Sequence, residues 1–381
     1  MDIWDFNLRH LRAIVKIGEL GTMNAAAQAV NLTQPAITQA RSRIESMLEV
    51  PLFERRHNGM ANTPAADLFL PRVRSALDHV ANPNVTMSRM RALLALADSG
   101  SYAGAGAMTG LSLPSLHRAV TDLALASRKP LAERRGKIVI LTEAGEAMAR
   151  SFRLARVELE NGLAELAAAR GHETRRIAIG AMPLSRARVL PAAVTRFLAR
   201  NPGVRVSIIE GSRAELVEPL RNGAIDLMIG ARREPMIEPD LLQKDLFRDR
   251  LVAIGRKGHP LGGTSPTDRS SAAYPWVVPA QGAPLRLIWD QFFAREAIEP
   301  PRVPVESGSV MTIRQLLMDS DFLTLLSPDQ MTVELEAGWV DTIANLPDDL
   351  DRMIAVTTRA SWRPTAVQAE FLEDLAAVST V

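Results

Sequence analysis

Gln34, Thr38, Gln39, Ser42 and Arg43 lie outside a stripe formed by Ile37, Ala40, Ile44 and Leu48, which recur every three or four residues. That spacing predicts a helix with one buried face and a row of small polar and basic side chains left for a partner. An amide such as Gln34 can hold the edge of adenine through two hydrogen bonds, and a guanidinium can grip guanine or phosphate in the same two-pronged way. The N-terminal positions of such a helix sit deepest in a groove, so Gln34 and Thr38 are the expected base readers. Arg43 and the Arg55-Arg56 pair suit phosphate contacts, which position without reading sequence. Bond-making chemistry has no comparable constellation. The chain contains no G-x-S-x-G, no G-x-x-x-x-G-K-S/T and no H-E-x-x-H. Its six histidines (10, 57, 79, 117, 172, 259) are scattered without metal-ligand spacing. The absence of cysteine excludes disulfide scaffolds, Cys-ligated metals and thiol nucleophiles. Neither catalysis nor a metal or cofactor is expected.

The elements that must hold these side chains are readable on either side of them. Thr33 is placed to cap the helix and Pro35 falls in its first turn. Asn31-Leu32 turns the chain, Asn24–Val30 reads as a short helix of small residues, and Gly18–Gly21 breaks it from a stripe of Leu8, Leu11, Ile14 and Val15. A short helix, a tight turn and a capped helix make a helix-turn-helix, whose second helix fits a major groove about 12 Å wide. For one isolated copy, an αα-hairpin buried in a core is the alternative. The unit occurs twice, however. Shifted by 79 residues, Leu11–Asp67 lies on Met90–Glu146 without a gap and with 14 identities in 57 positions. These include Gly21/Gly100, Pro35/Pro114 and Glu54-Arg55-Arg56/Glu133-Arg134-Arg135. In the second copy Ser112 is the cap, Ser115, His117, Arg118 and Thr121 are the outward residues, and Arg134 and Arg135 are the phosphate candidates. The copies differ in emphasis. Ile138–Leu141 forms a proper wing strand, whereas His57-Asn58-Gly59-Met60 lacks a strand-like run. Gly104, Gly106 and Gly110 weaken the second short helix, each glycine costing up to about 1 kcal/mol against alanine, and Leu113 stands where the first copy has Gln34.

Beyond the second wing, Thr142–Arg170 runs without proline, with Phe152, Ala155, Leu159, Leu163 and Leu166 on or near one face. A helix that long should bury little against its own domain, which points to a partner chain. Packing on its own winged domain is the competing reading. From Arg175 the texture changes: Arg176–Gly180, Val204–Ile209 and Asp226–Gly230 read as strands, with helices at Ser185–Arg200 and Arg213–Asn222 between them. That alternation predicts a parallel sheet. A second α/β unit opens at Leu246–Gly255 with strands at Val277-Val278 and Phe322–Leu326, and Met353–Thr357 and a helix at Val367–Val378 close the chain. Two such lobes take a ligand at the carboxyl ends of their strands, where helix N-termini favour anions. The expected effector contacts are Met182, Leu184 and Ser185, Gly211 and Ser212, Ala231, Gln281 and Gly282, and Ser307 and Ser309. Any one of these serines could instead be a plain helix cap. Arg186 and Arg188 hint at an anionic ligand, such as a sugar acid or an aromatic acid.

Charge divides along the same line. Residues 1–170 hold 21 Lys+Arg against 16 Asp+Glu, while the rest of the chain carries a net −3 within a total of +2. A basic half joined to an acidic half suggests that only the first meets a polyanion. No run approaches a membrane span, and the N-terminus shows no signal peptide, so a cytoplasmic protein is expected.

Thr33-Gln34-Pro35-Ala36-Ile37-Thr38-Gln39-Ala40, followed by Ile44-Glu45 and Pro51-Leu52-Phe53-Glu54-Arg55, resembles the winged helix-turn-helix of LysR-type transcriptional regulators. The second copy resembles it as well, through Leu116–Val120, Pro130-Leu131, Glu133-Arg134 and Leu141–Gly145. Arg41 departs from the family, which usually buries an aliphatic side chain there. Ile179–Leu184, Leu190-Pro191, Leu220-Arg221, Gly223 and Asp226–Gly230 resemble the family's effector domain, most like the branch that regulates sugar-binding-protein genes. The resemblance implies an α/β protein with two tandem winged units (1–82 and 83–143), a linker helix that pairs subunits (144–172), and an effector domain like periplasmic binding proteins (173–381). Lobe I would comprise about 173–247 and 345–381, and lobe II about 248–344. It further implies a homodimer or homotetramer, double-stranded operator DNA as partner, and a small-molecule effector between the lobes. A cytoplasmic solute-binding or scaffold protein, its helical repeats serving assembly, is the alternative.

Overall fold

The structure, a computed structural model, describes residues 1–57, 59–136, 138–171, 176–236, 238–262 and 273–379. Asn58 of the first wing, His172 at the end of the expected linker, and the expected domain start at 173–175 lie outside the described residues. The chain divides into two compact units, Met1–Arg175 and Arg176–Val381.

The first unit contains α1 (Leu8–Leu20), α2 (Met23–Ala29), α3 (Gln34–Leu48), β1 (Phe53–Arg56), β2 (Gly59–Asn62) and α4 (Pro64–Val80). It continues with α5 (Met87–Ser99), α6 (Tyr102–Thr109), α7 (Leu113–Ser127), β3 (Ala132–Arg135), β4 (Ile138–Leu141) and α8 (Glu143–Ala169). The repeat is thus structural, since α1, α3, β1 and β2 map onto α5, α7, β3 and β4 with the same 79-residue offset. The two equivalent helices α3 and α7 begin at the caps that the sequence offers. Thr33 and Ser112 accept from the backbone N–H three residues on, with proline at the second helical position.

The first wing differs from expectation. β1 and β2 pair over four residues, as β3 and β4 do. Cross-strand bonding needs backbone rather than an apolar run, and both ends of this ribbon are tied. Glu45 accepts from the N–H groups of Leu52 and Phe53 at 2.9 and 3.2 Å, and Met60 N–H donates to the Gly21 carbonyl at 2.7 Å. The glycines of α6 also have a use: a Cβ at Gly104 would lie 2.8 Å from the Cβ of Ser99.

The helix α8 does not leave its apolar stripe bare. Phe152, Ala155, Leu159 and Leu166 are buried in one core with Phe69, Val73, Ala76 and Val80 of α4, and with Met90, Leu93 and Leu94 of α5. The expectation that this helix finds little to bury on its own chain therefore fails, because α4 supplies a second apolar stripe for it to pack against. Gly145 lets α8 start hard against the wing, since a Cβ there would fall 1.9 Å from the Leu131 carbonyl oxygen.

The second unit contains β5 (Arg176–Ala181), α9 (Val189–Arg200), β6 (Arg205–Glu210), α10 (Arg213–Arg221), β7 (Leu227–Ala231), β8 (Leu241–Asp249), β9 (Val252–Arg256) and β10 (Val277–Val278). It continues with α11 (Pro284–Arg295), β11 (Val305–Glu306), α12 (Val310–Met318), β12 (Thr324–Leu326), α13 (Thr332–Glu336), β13 (Val340–Asn345), β14 (Arg352–Arg359) and α14 (Ala366–Ser379). Lobe I is a sheet of order β6-β5-β7-β14-β8. It is mixed rather than purely parallel, because β14 returns from lobe II and runs antiparallel to both β7 and β8. Lobe II joins the antiparallel β12-β9-β13 to the parallel pair β10-β11 through a bridge between Trp276 and Leu323. Two crossings connect the lobes, and a buried ion pair locks them: Arg352 Nε lies 2.5 Å from Asp249, while the same guanidinium reaches Gln330 of lobe II at 3.0 Å. The helix expected at Ser185 begins instead at Val189. Ser185 sits in a 3₁₀ turn, 1% exposed, with its hydroxyl donating to the Met182 carbonyl, so it caps a turn and not the helix.

Candidate nucleic-acid interface and effector cleft

In the first winged unit, α3 buries Ile37, Ala40, Ile44 and Leu48 and exposes Gln34, Pro35, Thr38, Gln39, Ser42 and Arg43, with Thr33 exposed at its cap. The Thr38 hydroxyl donates to the Gln34 carbonyl at 3.0 Å, so in this state it has only acceptor capacity left for a partner. Arg55 and Arg56 project from β1 and are exposed. Among the described residues, Arg43, Arg55 and Arg56 have no carboxylate within 4.0 Å, so three guanidiniums stand uncompensated around one protruding helix. Burial, with help from the charge of Arg43, holds the His10 imidazole below its usual pKa. Arg41, the departure from the family pattern, is half-buried and lies 3.4 Å from Glu45.

The second winged unit has the same elements and a quieter surface. Ser112, Ser115, His117, Arg118 and Thr121 are exposed along α7. Several are already engaged. Ser112 and Ser115 share a hydrogen bond at 2.8 Å, and His117 stacks on Tyr102 with ring centres 3.6 Å apart. On the wing, Arg134 donates to the Gly136 carbonyl and Arg135 to Glu133. Asp122 occupies the position equivalent to Arg43 and pairs with Arg89 at 2.6 Å.

Two further groups at this surface leave little or no mark in the sequence. Glu45 positions the first wing, as described above, and a carboxylate six to eight residues before Pro-Leu-Phe was the available signal. A hollow lined by Asn7, Leu8 and Arg9 on one side and Thr86, Ser88 and Arg89 on the other carries no local signal, because it forms only when the two copies meet.

In the second unit the expected effector residues all fall at carboxyl ends of strands: Met182, Leu184 and Ser185 after β5, Gly211 and Ser212 after β6, Ala231 ending β7, Gln281 and Gly282 after β10, Ser307 and Ser309 after β11. Their exposures divide them. Ser212, Gln281, Gly282 and Ser309 are exposed, whereas Met182, Ser185 and Ala231 are buried. The Met182 thioether fills the space over Gly230, and Leu184 packs on the lobe I core. Ser212 forms a capping box with Glu215, Ser309 caps α12, and the Ser307 hydroxyl accepts from Ser309 N–H. Both cations are held: Arg186 pairs with Glu210, and Arg188 crosses from lobe I to Asp329 of lobe II at 2.9 Å.

Comparison with known proteins supplies the family. Residues 8–67 and again 87–146 match the bacterial regulatory helix-turn-helix protein, lysR family, and residues 170–379 match the LysR substrate binding domain. The HTH-type transcriptional regulator GalR of Pseudomonas putida is 32% identical over 345 residues, covering 87% of each chain. PcaQ of Agrobacterium fabrum is 23% identical and covers 74% of this chain and 91% of its own length. Among solved structures, a full-length OxyR variant from Pseudomonas aeruginosa (21% identity, TM-score 0.57) covers 78% of this chain and 95% of its own. Full-length LysG from Corynebacterium glutamicum with bound effector Arg (18% identity, TM-score 0.57) covers 77% and 97%. These two show the same fold. The reading of the repeats as a mere assembly scaffold gives way to these matches. With two helix-turn-helix units ahead of one two-lobed effector-binding domain, the chain belongs to the LysR family of DNA-binding transcriptional regulators.

Proposed function

We propose that this regulator reads its operator chiefly through α3, with Gln34 and Thr38 on base edges and Arg43, Arg55 and Arg56 on phosphates, and that α7 adds a second, weaker set of contacts. The observation that carries this is the three uncompensated guanidiniums around an exposed, capped helix. Such cations gain by displacing condensed counterions from DNA. The protein acts in the cytoplasm as a homo-oligomer; among the described residues no helix is long and apolar enough to cross a membrane.

The effector on this reading is a small anionic metabolite, a sugar acid or an aromatic acid, taken between the lobes. The exposed hydroxyl of Ser309 at the N-terminus of α12 supports it. Arg188 supports it too, because an anion entering there competes with Asp329 for the guanidinium and so acts on the contact between the lobes. The test is a duplex selected by the full chain from a random pool. Gln34→Ala should relax base preference at one position by about 1–3 kcal/mol, while Arg55→Ala should weaken all sequences alike and lower the salt slope by about 1. An unchanged footprint and unchanged affinity for both would count against it. For the effector, raised melting temperature with one class of acids, abolished by Arg188→Ala, is the expected result.

A further inference from the structure

The two copies of the winged unit do not follow one another like beads; equivalent segments of the two meet. The helix α4 (64–80) and the first part of α8 (143–159) are the same segment displaced by 79 residues, and they pack side by side. They run antiparallel. Arg72, 4% exposed, bonds Glu158 at 3.3 Å and Glu165 at 2.6 Å, and a Cβ on Gly162 would lie 3.1 Å from that of Arg72. At the other end of the pair, His79 and Val80 line one hollow with Ser151 and Phe152. These contacts are reciprocal. Arg72 and Ser151 are equivalent positions, as are His79 and Glu158, so Arg72 facing Glu158 and His79 facing Ser151 are one contact made twice with the copies exchanged. A second place repeats the pattern, for Asn7, Leu8 and Arg9 share a hollow with their equivalents Thr86, Met87 and Ser88. A segment lies antiparallel beside its own copy only about an approximate two-fold axis.

We infer that residues 1–171 are a pseudo-dimer made by one chain, which grips two half-sites of the duplex in inverted orientation, and that these half-sites are unlike in sequence. The inference rests on the reading of α3 and α7 as DNA-facing helices. A two-fold pair of heads matches the dyad of duplex DNA, and its half-sites are inverted. The heads are related in place but not in chemistry: Gln34, Thr38 and Arg43 of one correspond to Leu113, His117 and Asp122 of the other. One half-site is therefore read by an amide and a hydroxyl among free cations, the other by an imidazole and Arg118.

Two experiments on the full chain test this, and both exploit its lack of cysteine. Oxidation of the Arg72→Cys, Gly162→Cys double variant should yield a cross-linked monomer on a non-reducing gel, because the two Cβ positions need only a small shift to reach the disulfide span of about 3.5–4.5 Å. A cross-linked dimer would mean that α4 of one chain pairs with α8 of another, and would overturn the inference. The second experiment leaves α4 and α8 untouched, so it stands even where that variant does not fold. An iron chelate on Glu54→Cys or on the equivalent Glu133→Cys cuts DNA near its own wing. The two labels should cut on opposite sides of one dyad, with one chain bound per pair of cuts. Identical cuts from both labels, no cuts from Glu133→Cys in a retarded complex, or two chains per pair would overturn the inference. Failure to retard DNA at all would instead overturn the DNA-binding reading on which it rests.

Discussion

At the scale of single residues, DNA binding depends on which cationic side chains are held by carboxylates and which are not. Among the described residues, Arg43, Arg55 and Arg56 have no carboxylate partner, whereas Arg135, Arg186 and Arg188 do, and nothing in the local sequence distinguishes them. Arg188 finds its partner only in the fold, where it meets Asp329 of the other lobe, and Arg135 turns to Glu133 two residues away although Glu54 and Arg56 have the same spacing. Caps, in contrast, were readable because they are local: Thr33, Ser112 and Ser212 bond backbone three residues away. Ser185 shows the limit of that signal, since its hydroxyl caps a turn just before the helix. A pH prediction belongs at this scale. His259 is buried in lobe II, with Nδ1 accepting from Leu261 N–H at 3.1 Å, and burial holds its pKa below the ordinary imidazole value. The unfolded chain therefore takes up a proton that the folded chain refuses. The stability from this site is complete above about pH 6.5 and is lost on acidification, at no more than about 1.4 kcal/mol per pH unit. Denaturant titrations at pH 7 and pH 5 should show a smaller acid loss for His259→Gln than for the native chain, and equal losses would refute the assignment.

At the scale of elements, α8 is the instructive case. Its stripe of Phe152, Ala155, Leu159 and Leu166 was plain in the sequence, but a stripe does not say which chain covers it. The answer lay about 90 residues away, in Arg72 and its bonds to Glu158 and Glu165. Burial alone would loosen the proton of that guanidinium, and the two carboxylates more than reverse the effect. Removing one side of a buried ion pair leaves uncompensated charge in the core, at about 3–5 kcal/mol. Arg72→Ala should accordingly destabilise the first unit by that amount in denaturant unfolding, and Arg72→Ala with Glu158→Ala should lose less than the sum of the two singles. A loss under about 1 kcal/mol, the range of an exposed pair, would place Arg72 at the surface. The first wing was hidden for a different reason, since β1 and β2 are joined by backbone bonds and by Glu45, neither of which leaves an apolar pattern. The same holds for β14, whose antiparallel place beside β7 is set by its return from lobe II.

At the scale of the whole molecule, the half that meets DNA could be seen from the repeat and, more weakly, from its basic charge, and the effector-binding half from strand–helix alternation and the family's motif. The meeting of the two copies about one axis could not, because it is a property of tertiary packing. The coupling between the halves is thermodynamic, so an effector that changes affinity for DNA must have its own affinity changed by DNA by the same factor. Everything at this scale presupposes that the chain binds duplex DNA through cations. The most direct measurement is the affinity of the full chain for its selected duplex across salt concentrations. If Arg43, Arg55 and Arg56 each neutralise a phosphate, log K should fall against log salt with a slope of about −3. A flat plot, or no binding at any ionic strength, would contradict the account.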